Sequence, residues 1–251
     1  MIPMKNTLMA QRASVWAMIV AGLGIAVSFV LVVRWVPLPS PADSAAQVAR
    51  MYTENVSAIR TNALIFAVCW SVWILFSAVI AAQLSRQEPG FPFWSIVSFG
   101  GGLLLCLIVT LNAVLWGVAS FRPDRAPDVT QALNDFAWFL FVVPAGPLGL
   151  QILSTGIVAL AHSAPGAAFP RWYGYLSLWM FTVTMPGFVA LFFKTGPLAW
   201  NGVFAIYVPG IGVGVWAVAT IYLLLRTIRE QLTAAEDRNP AHRNPEERTV
   251  G

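Results

Sequence analysis

The chain alternates between long apolar runs and short polar connections. A membrane-spanning helix needs about 20 predominantly apolar residues, and six runs meet this length. The predicted spans are residues 13–35, 62–84, 93–120, 134–161, 172–193 and 203–225. The pattern therefore predicts an all-α fold, a polytopic bundle of six transmembrane helices. This bundle occupies residues 13–226 and follows a short N-terminus at 1–12.

A further helix is predicted between the first two spans. Ser44 and Gln47 stand at the spacing of a capping box, which marks the start of a helix. Apolar residues then recur at helical spacing, at Val48, Met51, Tyr52, Val56 and Ile59. We expect one external amphipathic surface helix that lies on the membrane or caps the bundle.

The sequence becomes polar after the sixth run. Residues 227–232 continue the helical pattern, and the remainder of 227–251 is rich in charge, Asn and Pro. Segments of this composition cannot bury enough apolar surface to fold. We expect 227–251 to be a largely disordered cytoplasmic tail.

Composition excludes a soluble protein. The chain is 58% hydrophobic and 10% charged, whereas soluble domains are about 45–50% apolar and about 25% charged. The first run exceeds the apolar region of about 7–15 residues found in a signal peptide. This length favours an uncleaved span, although the small residues after Pro41 keep a cleaved signal peptide as an alternative.

The positions of the basic residues predict the orientation. With the N-terminus inside, nine of the 15 Lys and Arg residues fall on the inner side and six on the outer side. Cytoplasmic segments carry the excess of Lys and Arg. We therefore expect a multi-pass protein of a bacterial inner membrane with both termini in the cytoplasm.

The fourth run does not have the composition of a simple lipid-facing anchor. It begins with Asn134 and Asp135, is interrupted at Pro144 and Pro147, and carries Gln151 in its second half. Irregular or polar backbone at membrane depth is tolerated where protein or a watery cavity surrounds it. We expect this run to lie in the middle of the bundle.

Polar residues in the spans and their outer loops are the candidate binding residues. They are Asn112, Arg122, Arg125, Asp135, Gln151, Lys194 and Asn201. Each has a structural alternative. Asn112 is typical of a hydrogen-bonded contact between helices, and Asp135 is typical of a residue that stabilises a helix N-terminus. Lys194 either extends to the lipid headgroups or pairs with Asp135.

Alternating charges in the loop at 121–131 predict a structured set of ion pairs. The loop contains Arg122, Asp124, Arg125 and Asp128, whose formal charges cancel. We expect these pairs to cover the mouth of the bundle.

Motifs for catalysis or metal binding are missing from the sequence. There is no HExxH, no GxSxG and no Walker A loop. Cys69 and Cys106 lie in apolar runs, where small core residues are expected and a disulfide is the alternative. We predict no catalytic residue, no metal and no cofactor. Since no basic stripe is present, we also predict no nucleic-acid partner.

Three segments carry a resemblance to a known group. They are YTENVSAIR, FRPDRAPDVTQALNDFAW, and FPRWYGYLSLWM followed by FFKTGPLAWNG. Together they resemble a group of uncharacterised six-span integral membrane proteins of actinobacteria. The resemblance implies the topology and no activity.

These features favour a non-enzymatic membrane protein. We expect an accessory or ligand-sensing component with an outward-facing polar rim, whose partners are the bilayer and either a membrane protein or a small amphipathic ligand. The rival hypothesis is a small-molecule transporter or channel that uses the broken spans four to six. A membrane enzyme is the third. The first two differ in whether Asn112, Asp135 and Gln151 surround one cavity or are bonded separately.

Overall fold

A computed structural model describes residues 4–237 of the chain, and helices joined by short connections form nearly all of it. In chain order the α-helices are α1 (Met4–Val27), α2 (Ala45–Glu54), α3 (Val56–Ser71), α4 (Trp73–Leu84), α5 (Phe93–Phe121), α6 (Pro127–Val142), α7 (Ala145–Ala161), α8 (Arg171–Thr184) and α9 (Val208–Asp237). Other helical types extend three of them, namely π-helices at Ser28–Val32 and Val203–Tyr207 and a 3₁₀-helix at Met185–Phe192.

Six helical segments are long and apolar enough to cross a membrane. They are Met4–Val32, Val56–Leu84, Phe93–Phe121, Pro127–Ala161, Arg171–Phe192 and Val203–Asp237. The predicted all-α bundle is therefore confirmed, and the chain is a multi-pass integral membrane protein. The third and fourth segments are equally buried and more so than the others. The fourth thus lies inside the bundle, as predicted, while α5 contacts α3, α4, α6 and α7.

The first and last helices meet at one end of the bundle. Lys5 Nζ lies 2.9 Å from Glu236 Oε1, so the start of α1 and the end of α9 lie together. At the same end, Gln83 Nε2 donates to Gln11 Oε1 at 2.7 Å and to Gln231 Oε1 at 3.1 Å. An even number of spans brings the two ends of a chain to one side, and these contacts agree with that arrangement.

An aromatic cluster fills the opposite half of the interior. Trp116 and Trp138 are fully buried, and their ring centroids are 5.4 Å apart. The rings packed around them are Phe29, Trp35, Phe66, Phe141 and Trp200. Aromatic pairs at such distances stabilise beyond their buried area. This cluster joins the first four spans to the turn before the sixth.

Five spans contain a break in their helical hydrogen bonding, and in the first span it is the π-helix Ser28–Val32. Pro144 separates α6 from α7, and α8 becomes a 3₁₀-helix just before Pro186, because proline has no N–H to donate. A π-helix precedes α9, where Pro209 follows. The break at Val72 is not predicted by the sequence, because no proline or glycine marks it. There the Val72 N–H donates to the Cys69 carbonyl at 3.2 Å, and the Ser71 hydroxyl donates to the Ala67 carbonyl at 2.8 Å.

Helix α2 corresponds to the first part of the predicted amphipathic helix and caps the bundle, whereas Val56 and Ile59, predicted to belong to it, lie in α3 at the start of the second span. The capping box forms, with Ser44 N–H donating to Gln47 Oε1 at 2.8 Å. Helix α2 packs against α6. Tyr52 is fully buried there, and its hydroxyl donates to Asn134 Oδ1 at 3.2 Å.

The structure corrects two expectations. The helical extension predicted at 227–232 is observed, and α9 continues beyond it through Asp237, into the part predicted to be disordered. Arg226 and Glu230 form an ion pair at 3.5 Å in this helix. The rest of that tail, 238–251, lies outside the described residues. The predicted ion pairs of loop 121–131 are wrong as well. Salt bridges found in 4–237 involve none of its charges, and Arg125 donates instead to the Val118 carbonyl at 3.3 Å.

Candidate functional site

The two buried amides of the predicted site are bonded inside the bundle. Asn112 Nδ2 donates to the Ala137 carbonyl at 2.6 Å, while the buried Asn112 Oδ1 has no hydrogen-bond partner among residues 4–237. Gln151 Oε1 accepts from Trp73 Nε1 at 3.0 Å, and Gln151 Nε2 donates to Ser77 Oγ at 2.9 Å. The structural alternative for Asn112, a hydrogen-bonded contact between helices, is therefore the arrangement observed.

Asp135 belongs to a separate polar group about two turns into α6, so it does not stabilise the N-terminus of that helix, where Asp128 lies instead. It is half-buried, and Asn134 Nδ2 donates to its Oδ1 at 3.4 Å. Asn134 also accepts the Tyr52 hydroxyl. Burial, and secondly the charge of Asp135, raise the pKa of Tyr52 above its ordinary value. Lys194 is exposed and attracts Asp135 electrostatically, without a salt bridge between them within 4.0 Å.

The remaining predicted residues lie in connections. Arg122 is exposed in the loop after α5, whereas Arg125 is half-buried against the end of that helix. Asn201 is half-buried in the turn before the last span. The seven candidates thus form no single site. Asn112 and Gln151 are bonded separately in the interior, and Asp135 is close to Lys194 alone.

A cavity of about 220 Å³ lies where the breaks of three spans meet. We call it the break pocket. Its lining comes from α3, α5, both sides of the Pro144 break, the end of α8 and the start of the last span. The lining residues are Trp70, Leu105, Val109, Phe141, Val142, Pro144, Ala145, Leu148, Thr184, Ala205, Ile206, Pro209, Gly210 and Val213. Gly210 is exposed, so the pocket opens onto the surface of the bundle.

The break pocket is apolar apart from two side chains. The Thr184 hydroxyl already donates to the Phe181 carbonyl at 2.8 Å. The indole N–H of Trp70 is buried and has no hydrogen-bond partner among residues 4–237. A buried donor without a partner costs about 1–3 kcal/mol. One residue of the pocket wall, Trp70, thus has a buried donor without a partner among residues 4–237, and the rest of the wall is almost wholly apolar.

The proline breaks were the sequence signal for this site. Pro144 and Pro209 mark it in the chain, but neither Trp70 nor Thr184 stood out among the many aromatic and hydroxyl residues of the spans. Within 4–237, no group of three or more His, Cys, Asp or Glu is placed to hold a metal. No protein-family model, no curated protein and no solved structure matches this chain.

Proposed function

We propose that this membrane protein is a non-enzymatic accessory or sensing component that binds a small amphipathic molecule in the break pocket. The observation that carries the proposal is the unpartnered indole N–H of Trp70 beside an otherwise apolar cavity. Ligand sites are concave and mostly apolar, with a few placed polar groups. In this proposal the protein is located in the inner membrane of a bacterium, with both termini in the cytoplasm.

The pocket limits the size and chemistry of the ligand. A cavity of about 150 Å³ lined by apolar side chains binds benzene, so 220 Å³ accommodates one substituted ring or a short branched chain. The ligand also carries one hydrogen-bond acceptor, such as a carbonyl or ether oxygen, which accepts from Trp70. A charged molecule would be desolvated in this pocket without a counter-charge.

Ligand binding in the break pocket can act as a sensor because it changes the relative stability of different arrangements of the broken spans. The pocket touches the Pro144 break, the end of α8 and the start of α9, so a ligand there stabilises one arrangement of three spans. A ligand shifts an equilibrium only through its different affinity for two states. The separate bonding of Asn112 and Gln151 favours this function over a transporter that needs them along one polar path.

Thermal unfolding of the purified protein in detergent tests the proposal with a matched pair of compounds. Acetophenone and isopropylbenzene have similar shapes, and only the ketone accepts a hydrogen bond. We expect acetophenone to raise the midpoint more than isopropylbenzene does, because a ligand that binds the folded state stabilises it by mass action. In Trp70→Phe, which removes a donor that has no partner, the two compounds give equal shifts.

Two glycines of α9 provide the variant and its control. A Cβ on Gly210 or on Gly214 meets no atom within 4 Å, and Gly210 lines the pocket whereas Gly214 does not. Gly210→Phe abolishes both shifts, and Gly214→Phe retains them. Equal responses of these two variants, or equal effects of the two compounds on the wild type, contradict the proposal.

A further inference from the structure

A second cavity, of about 440 Å³, runs along the surface between α3 and α5. Helix α3 lines one side with residues at helical spacing, namely Arg60, Ala63, Leu64 and Ala67. Helix α5 lines the other side with Ala113, Val114, Gly117, Val118 and Phe121. Arg125 completes the lining, and we call this surface the arginine groove. Because α3 rises about 1.5 Å per residue, the stretch from Arg60 to Ala67 extends about 10 Å towards the membrane interior.

Small residues form the floor of the arginine groove, and large apolar residues form its edges. Ala63 and Ala113 are buried, at 7% and 1% exposure, whereas Leu64 and Phe121 are 67% and 68% exposed. In a bilayer, an exposed apolar surface of this kind is in contact with lipid acyl chains. The arginine groove is therefore chemically suited to a hydrocarbon chain.

Both arginines stand at the same end of the trough. Arg60 Nη2 donates to the carbonyls of Ser120 and Phe121 at 2.9 and 3.1 Å, and Arg125 Nη1 donates to the Val118 carbonyl at 3.3 Å. These bonds cap the C-terminus of α5, where positive charge is favoured. They use one nitrogen of each guanidinium. Neither arginine has a carboxylate within salt-bridge distance among residues 4–237.

We propose that the arginine groove binds an anionic phospholipid. One acyl chain lies over Ala63 and Gly117, and the phosphate accepts hydrogen bonds from Arg60 and Arg125. Guanidinium groups bind phosphate in bidentate fashion, and such charge-assisted bonds are stronger than neutral ones. Two guanidinium groups without a carboxylate partner, one of which lies 5.7 Å from the centroid of the Phe121 ring, are complementary to a lipid that joins an acyl chain to a headgroup of net negative charge. The site is separate from the break pocket, so the two proposals are independent.

Native mass spectrometry of the delipidated full chain tests this proposal with two lipids of equal chain length. We expect phosphatidylglycerol to bind about tenfold more tightly than phosphatidylcholine, because both lipids carry the same phosphate but the cationic choline group is repelled by the two arginines. Arg125→Gln removes this preference. Arg122→Gln is the matched control, because Arg122 lies in the same loop and outside the groove.

A larger side chain inside the arginine groove tests lipid binding without disturbing the cap of α5, because both arginines stay in place. A Cβ on Gly117 meets no atom within 4 Å, and the same holds for Gly100 on the same helix. Gly117→Leu therefore lowers the affinity for phosphatidylglycerol about tenfold, while Gly100→Leu leaves it unchanged. Inorganic phosphate does not compete with the lipid, since it lacks the acyl chain.

Three results would each overturn the proposal. They are equal affinities for the two lipids, unchanged binding in Gly117→Leu, and displacement of the lipid by inorganic phosphate. The first would leave a groove that binds phospholipids without regard to headgroup charge, and the second would leave the small-residue face to a helix of another membrane protein. The third would leave a phosphate site formed by the arginines alone.

Discussion

Trp73 and Gln151, 78 residues apart in the chain, are joined by a buried hydrogen bond of 3.0 Å between Trp73 Nε1 and Gln151 Oε1. The amide of Gln151 continues to Ser77 Oγ at 2.9 Å. The second and fourth spans are thereby linked through two polar contacts inside an apolar bundle. Gln151, which the sequence presents as a binding residue, has a structural role in the described chain.

Substitutions of Gln151 and Trp73 are expected to have non-additive effects on stability. Gln151→Met leaves the Trp73 N–H buried without an acceptor and lowers the free energy of unfolding by about 1–2 kcal/mol. Adding Trp73→Phe removes that orphaned donor, so the double variant loses less stability than the sum of the two single ones. Reversible unfolding in mixed detergent micelles measures all three. Additive losses would show that the two side chains are not coupled.

Alanine substitutions at two adjacent glycines of α5 are expected to have different effects on thermal stability. A Cβ on Gly101 would lie 2.5 Å from the Pro147 carbonyl oxygen, whereas one on Gly100 meets nothing within 4 Å. Overpacking of this kind costs about 1–3 kcal/mol. Gly101→Ala therefore lowers the thermal midpoint, and Gly100→Ala leaves it unchanged or raises it, since alanine favours a helix. A stable Gly101→Ala protein would contradict the close crossing of α5 and α7.

Tyr52 is expected to make stability depend on alkaline pH. Its pKa is raised in the folded protein by burial and by the charge of Asp135. The unfolded chain therefore ionises first, near pH 10. The contribution of Tyr52 is fully present below that pH and is lost as the pH rises above it.

Tyr52→Phe isolates this contribution. The variant loses the bond to Asn134, which costs about 1 kcal/mol near pH 8, and its thermal midpoint falls less steeply than that of the wild type above pH 10. Tyr222→Phe is the control, because the Tyr222 ring is 60% exposed. Midpoint curves for Tyr52→Phe and wild type that run parallel above pH 10 would be inconsistent with this account.

Arg34 adopts a left-handed backbone conformation, with φ of 56°. The chain reverses there, and the Trp35 N–H returns to the Phe29 carbonyl at 3.0 Å. A residue with a Cβ loses about 1–2 kcal/mol in this region, part of which glycine recovers. We expect Arg34→Gly to raise the thermal midpoint and Arg34→Val to lower it. A lower midpoint in Arg34→Gly would show that the arginine side chain is itself stabilising.

The sequence predicted the elements of the fold whose signals are local. Six apolar runs of sufficient length predict six spans, and the missing N–H of Pro144 and Pro186 predicts their breaks. The pairing of Ser44 with Gln47 predicts the start of α2. The break at Val72 has no such signal, since no proline or glycine stands in that run.

The candidate site depends on contacts that no local pattern encodes. Asn112 and Gln151 were singled out because amides are rare in spans, yet their partners Ala137, Trp73 and Ser77 lie on other helices. The break pocket brings Trp70 together with residues more than a hundred positions away. A pattern of polar residues predicts which side chains require partners, and the packing of the helices decides which partners they receive.

Photolabelling with phenyldiazirine, a one-ring probe, tests the break pocket most directly. Mass spectrometry of the labelled protein locates the modified residues, and the lining predicts labels within 141–148 and 205–213. These labels disappear in Gly210→Phe and persist in Gly214→Phe. Labels spread evenly over the exposed apolar surface, or unchanged in Gly210→Phe, would contradict a ligand site at the breaks.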